Sequence, residues 1–135
     1  MTDNTQILAQ LQNLSAGLLY ISESDAPFET FLWQSITPES LTPELVRQLA
    51  NYPPQTPVEV ISADQFFALA LRQEEWHDKE DTQVVKRYHA LVAALKENLS
   101  QLQVYRVGKR EIDIWIAGRT PRGNWGGLKT KVVET

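Results

Sequence analysis

The sequence predicts a single α+β domain in which a set of short, mainly antiparallel strands is layered between helices. Three observations carry that expectation. Apolar residues recur at three- and four-residue spacing in several segments, which is the signature of helices with one buried face. Other apolar runs are only four to six residues long and are bounded by clusters of Gly, Pro, Asn, Asp and Ser, as strands are. The chain has 135 residues, 42% hydrophobic and 22% charged, enough for one core and far from the apolar-poor profile of disordered sequences.

The elements follow in order. Ile7, Leu8, Leu11 and Leu14 form the apolar stripe of a first helix, with Asp3 or Asn4 able to cap its start and Gly17 placed to end it. Leu18 to Ile21 and Phe28 to Trp33 are short apolar runs on either side of the polar turn Ser22-Glu23-Ser24-Asp25-Ala26-Pro27. Glu23 and Asp25 are therefore expected on an exposed loop. Leu45 to Leu49 reads as a short helix after Pro43, and Pro53, Pro54 and Pro57 interrupt the chain before a strand at Val58 to Ile61.

Ser62 or Asp64 starts the next helix, which carries Phe66, Phe67, Leu69 and Leu71 and continues into the charged run Glu74-Glu75-Trp76-His77-Asp78. The longest periodic face belongs to Val84, Val85, Tyr88, Leu91, Val92, Leu95 and Leu99. Val104 to Val107 and Ile112 to Ile116 flank Gly108-Lys109 in a hairpin pattern, with Ile112, Ile114 and Ile116 on one side. Pro121-Arg122-Gly123-Asn124 is a turn, and Leu128 to Val133 is a last strand. Trp33, Trp115 and Trp125 are expected to pack in the sheet or its turns, with Trp125 open to exposure between glycines.

Composition excludes several kinds of chemistry. With no cysteine, neither a disulfide framework nor a thiolate metal site nor a thiol nucleophile is available. The Met1 to Gln6 segment lacks an export signal and no stretch is apolar enough to span a membrane, so a cytoplasmic protein is expected. A net charge of -4 argues against a protein whose task is to hold phosphate backbones and suits a basic protein partner.

Four segments together resemble the nuclease A inhibitor family: Gly17-Leu18-Leu19-Tyr20-Ile21-Ser22-Glu23-Ser24; Pro27-Phe28-Glu29 with Phe31-Leu32-Trp33; Val104-Tyr105-Arg106; and Thr130-Lys131-Val132-Val133-Glu134-Thr135. The resemblance runs from end to end. It implies a three-layer αβα sandwich with a central, mainly antiparallel sheet, similar to plant pathogenesis-related (PR-1-like) proteins. It also implies a protein without chemistry of its own, a monomer that forms a 1:1 complex with a sugar-nonspecific ββα-metal nuclease and occupies its active-site cleft. The family's contact residues match Glu23 on the loop, Trp76 after the acidic Glu75, and the terminal Thr135, whose carboxylate the resemblance directs to the nuclease's catalytic magnesium.

These residue types suit that task. Mg²⁺ takes hard oxygen ligands and keeps several waters, so Thr135 and Glu23 suffice to replace substrate phosphate oxygens. Trp76 offers a large apolar area with few rotors to freeze, the profile of an interface anchor. Glu23, Asp25, Glu29, Glu75, Asp78, Glu80 and Asp81 form an acidic rim that would steer encounter with a cleft that attracts nucleic acid.

Blander readings stand beside these. Glu23 and Asp25 alone read as solvated loop charges, and Trp76 alone as a core residue at a helix start. His77, Asp78, Glu80 and Asp81 lack a second histidine at helical spacing and read as first-turn acids favoured by the helix dipole, so no metal or cofactor is expected. His89 reads as a partly exposed structural histidine, and Gly123 to Gly127 as a glycine-bearing turn without the Lys-Ser/Thr of a phosphate loop. Two other functions compete: a binding module of the same fold directed to another protein, and a small hydrolase or metal enzyme pairing carboxylates with His77 or His89. Neither nucleic-acid nor membrane binding is expected.

Overall fold

The computed structural model describes residues 4–16, 27–33, 41–71 and 79–133. Within them lie α1 (Asn4–Ser15), β1 (Glu29–Trp33), α2 (Pro43–Leu49), β2 (Val58–Ile61), α3 (Ala63–Leu71), α4 (Lys79–Asn98), β3 (Ser100–Val107), β4 (Glu111–Arg119) and β5 (Trp125–Val133). The strands form one open antiparallel sheet in the order β1-β5-β4-β3-β2. The fold is α+β, as its sequence pattern predicts.

Alternation along the strands sorts side chains onto two faces. On the first, Val104, Ile112, Ile114, Ile116, Leu128 and Val132 meet Ile7 and Leu11 of α1, Phe66 and Phe67 of α3, and Tyr88, Leu91, Val92 and Leu95 of α4. Leu11, Leu91 and Leu95 are fully buried, each contributing roughly 1.5–3 kcal/mol relative to exposure. On the second face Tyr105, Val107, Trp115 and Ala117 meet Val46 of α2, with Phe31, Trp33, Leu41, Tyr52 and Val58 packed around them. The α4 stripe is buried as its spacing predicts, except that Val84 at its start is exposed.

Local chemistry sets the helix ends. Thr42 caps α2 by accepting from the Leu45 N–H at 3.1 Å, with Pro43 in the first turn where its missing donor costs nothing. Arg47, in the last turn, donates to the carbonyls of Pro54 at 2.6 Å and Thr56 at 3.2 Å, pinning the proline-rich approach to β2. Ser62 rather than Asp64 caps α3, accepting from the Gln65 N–H at 3.0 Å. At the far end of α1, the Arg87 guanidinium from α4 donates to the Ala16 and Leu14 carbonyls, satisfying acceptors that a helix terminus leaves open. None of the described helices is long and apolar enough to cross a membrane.

Three strands run further than the sequence suggests, and β4, expected at Ile112 to Ile116, extends to Arg119. β5 begins at Trp125, so Gly126 and Gly127 are strand residues and not part of a turn. The reason is close approach: a Cβ on Gly127 would stand 2.0 Å from the Ile116 carbonyl oxygen, and one on Gly126 2.8 Å from that of Phe31. Trp125 is consequently buried at 1% exposure, against the expectation that it could face solvent. β3 begins at Ser100, with an irregularity between Ser100 and Gln103 where Gln101 takes a φ of 53°. Only Leu99 separates α4 from β3.

Candidate functional site

Register defines two ends of the sheet. At the first, β5 finishes at Val133 opposite Glu111, where β4 begins. At the second, Trp125 stands opposite Arg119 and Trp33. The Val133 end is the candidate site, because the segments holding the sequence-derived candidates attach there.

β1 enters the sheet at the Val133 end. Glu29 is paired with Lys129, and just before it the Pro27 carbonyl accepts from Thr130 Oγ1 at 2.9 Å, so segment 17–26 rejoins the fold beside the last turns of β5. α4 starts at the same end. Its last residues abut the other end, where Leu99 lies against Gly118, and twenty helical residues reach back by about 30 Å. Tyr88 packs edge-on against Phe28 with ring centroids 6.2 Å apart, and Lys79 lies nine positions further toward the Val133 end. α3 runs opposite to α4: Asp64 pairs with Lys96 at 2.5 Å, and Phe67 stacks near Tyr88 at 6.1 Å, so Leu71 finishes at the Val133 end as well. Segments 17–26, 72–78 and 134–135 therefore share this end as an attachment point, whereas 34–40 departs from Trp33 at the other.

The five candidates Glu23, Asp25, Glu75, Trp76 and Thr135 lie outside the described residues, as do His77 and Asp78, and the side chains of Glu80 and Asp81 are likewise not described. The sequence itself shows the charge at stake. Segments 17–26, 72–78 and 134–135 carry Glu23, Asp25, Glu74, Glu75, Asp78 and Glu134 against one basic residue, Arg72. Arg119 and Arg122 belong to the other end of the sheet, a strand's length from Val133. Glu29 is exposed on the edge strand, and His89 is exposed on α4. Among the described residues, no group of three histidines or carboxylates is placed to hold a metal ion.

A polar and aromatic constellation that the sequence does not announce occupies the second face. Trp115 packs against both Phe31 (centroids 4.9 Å apart, nearly perpendicular) and Trp33 (5.3 Å), with the Lys129 ammonium 5.0 Å from its ring centroid. Its indole N–H donates to the Tyr52 hydroxyl at 3.3 Å, and that hydroxyl donates to the Asp113 carboxylate. Burial, and then the bond to Asp113, push the Tyr52 phenol well above its ordinary value. A cavity of about 500 Å³ opens beside this cluster, along β1, lined by Gln12, Ser15, Phe28, Trp33, Trp115 and Lys129 among others. Its described lining contains one carboxylate, Glu29, and no histidine. Neither Tyr52 nor Asp113 stands out in sequence, because they are 61 positions apart and meet only through the return of the α2 connection onto the sheet.

Among curated proteins, no match to the chain is found. The profile of the NuiA family, described as nuclease A inhibitor-like protein, matches residues 5–135, nearly the whole sequence, and the chain belongs to that family.

Proposed function

We propose that this protein inhibits a sugar-nonspecific ββα-metal nuclease by seating the Val133 end of its sheet in the enzyme's active-site cleft. The observation that carries this reading is the common attachment of three acidic segments, 17–26, 72–78 and 134–135, to one end of a rigid sheet. A cleft that binds polynucleotide phosphates presents cations and a metal, and carboxylates converging on it replace phosphate oxygens. In this reading Glu23 and the Thr135 carboxylate approach the catalytic Mg²⁺, Asp25 and Glu75 meet basic side chains of the rim, and Trp76 fills an apolar recess. The sheet supplies no reacting group; it acts as a platform.

The same reading takes the fold as a PR-1-like αβα sandwich, an assignment supported by the burial of α1, α3 and α4 on one face of the sheet and α2 on the other. It places the protein in the cytoplasm as a monomer that forms a 1:1 complex, with no metal, nucleic acid or membrane bound on its own account.

The test is DNA cleavage by a purified nuclease of that class, titrated with this protein at fixed magnesium, with a variant lacking Thr135 run alongside. Stoichiometric inhibition that the truncated variant loses is the expected result. Full nuclease activity at a large excess of the intact protein would reject the reading.

A further inference from the structure

At the Val133 end the chain re-enters the sheet through Pro27, and a side chain of β5 holds it there. Proline has no N–H, so its carbonyl is the one backbone group by which such a residue can be tied to its neighbours. That carbonyl accepts from Thr130 Oγ1 at 2.9 Å, a contact between residues 103 positions apart. Phe28 follows and is anchored in the core, its ring centroid 6.4 Å from that of Phe67 and 6.2 Å from that of Tyr88.

Packing alone does not call for a hydroxyl at Thr130. It stands opposite Ile114 on β4, alternates with Leu128 and Val132 on the same face, and is 5% exposed. Valine has nearly the same shape and would fill the place with no polar atom to satisfy. Ser15 and Thr120, the other buried polar residues among those described, bond close by in sequence, to the Gln12 carbonyl and the Asn124 N–H. The Thr130 hydroxyl instead reaches from β5 to the residue at which segment 17–26 ends. β5 is itself paired to β4 as far as Val133, so the tether has a fixed anchor.

We infer that Thr130 is a positioning residue for inhibition: its hydroxyl fixes the base of segment 17–26 against β5 and so prepares Glu23 for the nuclease. The inference rests on the proposed function, and its test separates the two. A segment whose base is already fixed loses less freedom on binding, so the tether should show in affinity. Binding of a ββα-metal nuclease is measured by calorimetric titration for the intact protein, Thr130→Val and Thr130→Ser. The intact protein and Thr130→Val are also each combined with Glu23→Gln and, separately, with deletion of Thr135, and thermal midpoints are recorded for all.

The expected result is a dissociation constant raised about threefold to tenfold in Thr130→Val, with a midpoint lowered by no more than about 5 °C, the scale of one hydrogen bond. Thr130→Ser, which keeps the hydroxyl, should bind as the intact protein does. Glu23→Gln should cost less affinity in the Thr130→Val background than in the intact chain, whereas deletion of Thr135 should cost the same in both. Undiminished affinity in Thr130→Val, no rescue by Thr130→Ser, an equal cost of Glu23→Gln in both backgrounds, or the same coupling to Thr135 as to Glu23 overturns the inference and leaves the inhibitor reading in place. Failure of the intact protein to bind the nuclease at all overturns both.

Discussion

The two ends of the sheet differ in how the chain is connected there. At the Trp125 end, the β4–β5 turn and the α4–β3 link are short and closely bonded or packed. In the β4–β5 turn, the Thr120 N–H donates to the Asn124 carbonyl at 2.7 Å, the Thr120 carbonyl accepts from the Gly123 N–H at 2.9 Å, its hydroxyl accepts from the Asn124 N–H at 3.2 Å, and Asn124 Oδ1 accepts from Asn4 at the start of α1. The α4–β3 link is a single residue packed against Gly118. At the Val133 end, by contrast, α1, α3 and β5 hand the chain to segments rich in carboxylates. Under the proposed function, stability and recognition are separated along the strand axis, so that a change at one end should leave the property of the other intact.

Substitutions at both ends sharpen that separation. The largest effect is expected at the Val133 end: Trp76→Ala should weaken nuclease binding by about 2 kcal/mol or more, the scale of an interface hot spot, without moving the thermal midpoint. A loss under tenfold by calorimetric titration would remove Trp76 from the contact set. At the opposite end, Gly118→Ala forces a Cβ to within 2.6 Å of the Leu99 Cβ, and overpacking of this kind costs about 1–3 kcal/mol of stability. Denaturant unfolding should show that loss while the folded protein keeps its affinity. Impaired binding in Gly118→Ala would break the comparison.

A smaller effect is expected from the second face. Tyr52→Phe removes the hydroxyl that links Trp115 to Asp113 and should cost roughly 1 kcal/mol. The pH dependence has a definite sign. With the folded-state pKa above the ordinary 10.0, the Tyr52 contribution is fully present below pH 10 and is lost as pH rises from there through the folded-state value. Unfolding measured across alkaline pH should therefore show a shallower decline in Tyr52→Phe than in the intact protein. Tyr105, also raised by burial, retains a share of the slope in both.

Legibility in the sequence followed the range of the interactions. α4 and the β3–β4 hairpin announce themselves because their periodicity and turn chemistry are local: Leu91, Leu95 and Leu99 lie on one stripe, and Gly108 marks the turn. Gly126 and Gly127 mislead for a physical reason, since glycine signals a turn locally and here serves a close passage between strands that only the assembled sheet creates. The union of β1 with β5 is nonlocal in the same way, with Glu29 meeting Lys129 across most of the chain. Of the candidate site, the acidic segments are legible as composition. Their common attachment is not, because it depends on the direction in which α3 and α4 cross the sheet.

The single-residue link at Leu99 has a consequence for how the molecule assembles. α4, β3, β4 and β5 are consecutive in sequence and adjacent in space, so their mutual contacts close only short loops and can form early. β1 and β2 are then added at the two edges, and α1 docks last from the other end of the chain. Amides of β3, β4 and the middle of α4 should accordingly exchange with solvent only on global unfolding, and those of β1 through smaller openings. The edge strand β1, which carries the exposed Glu29, would then be the most readily opened strand of the sheet.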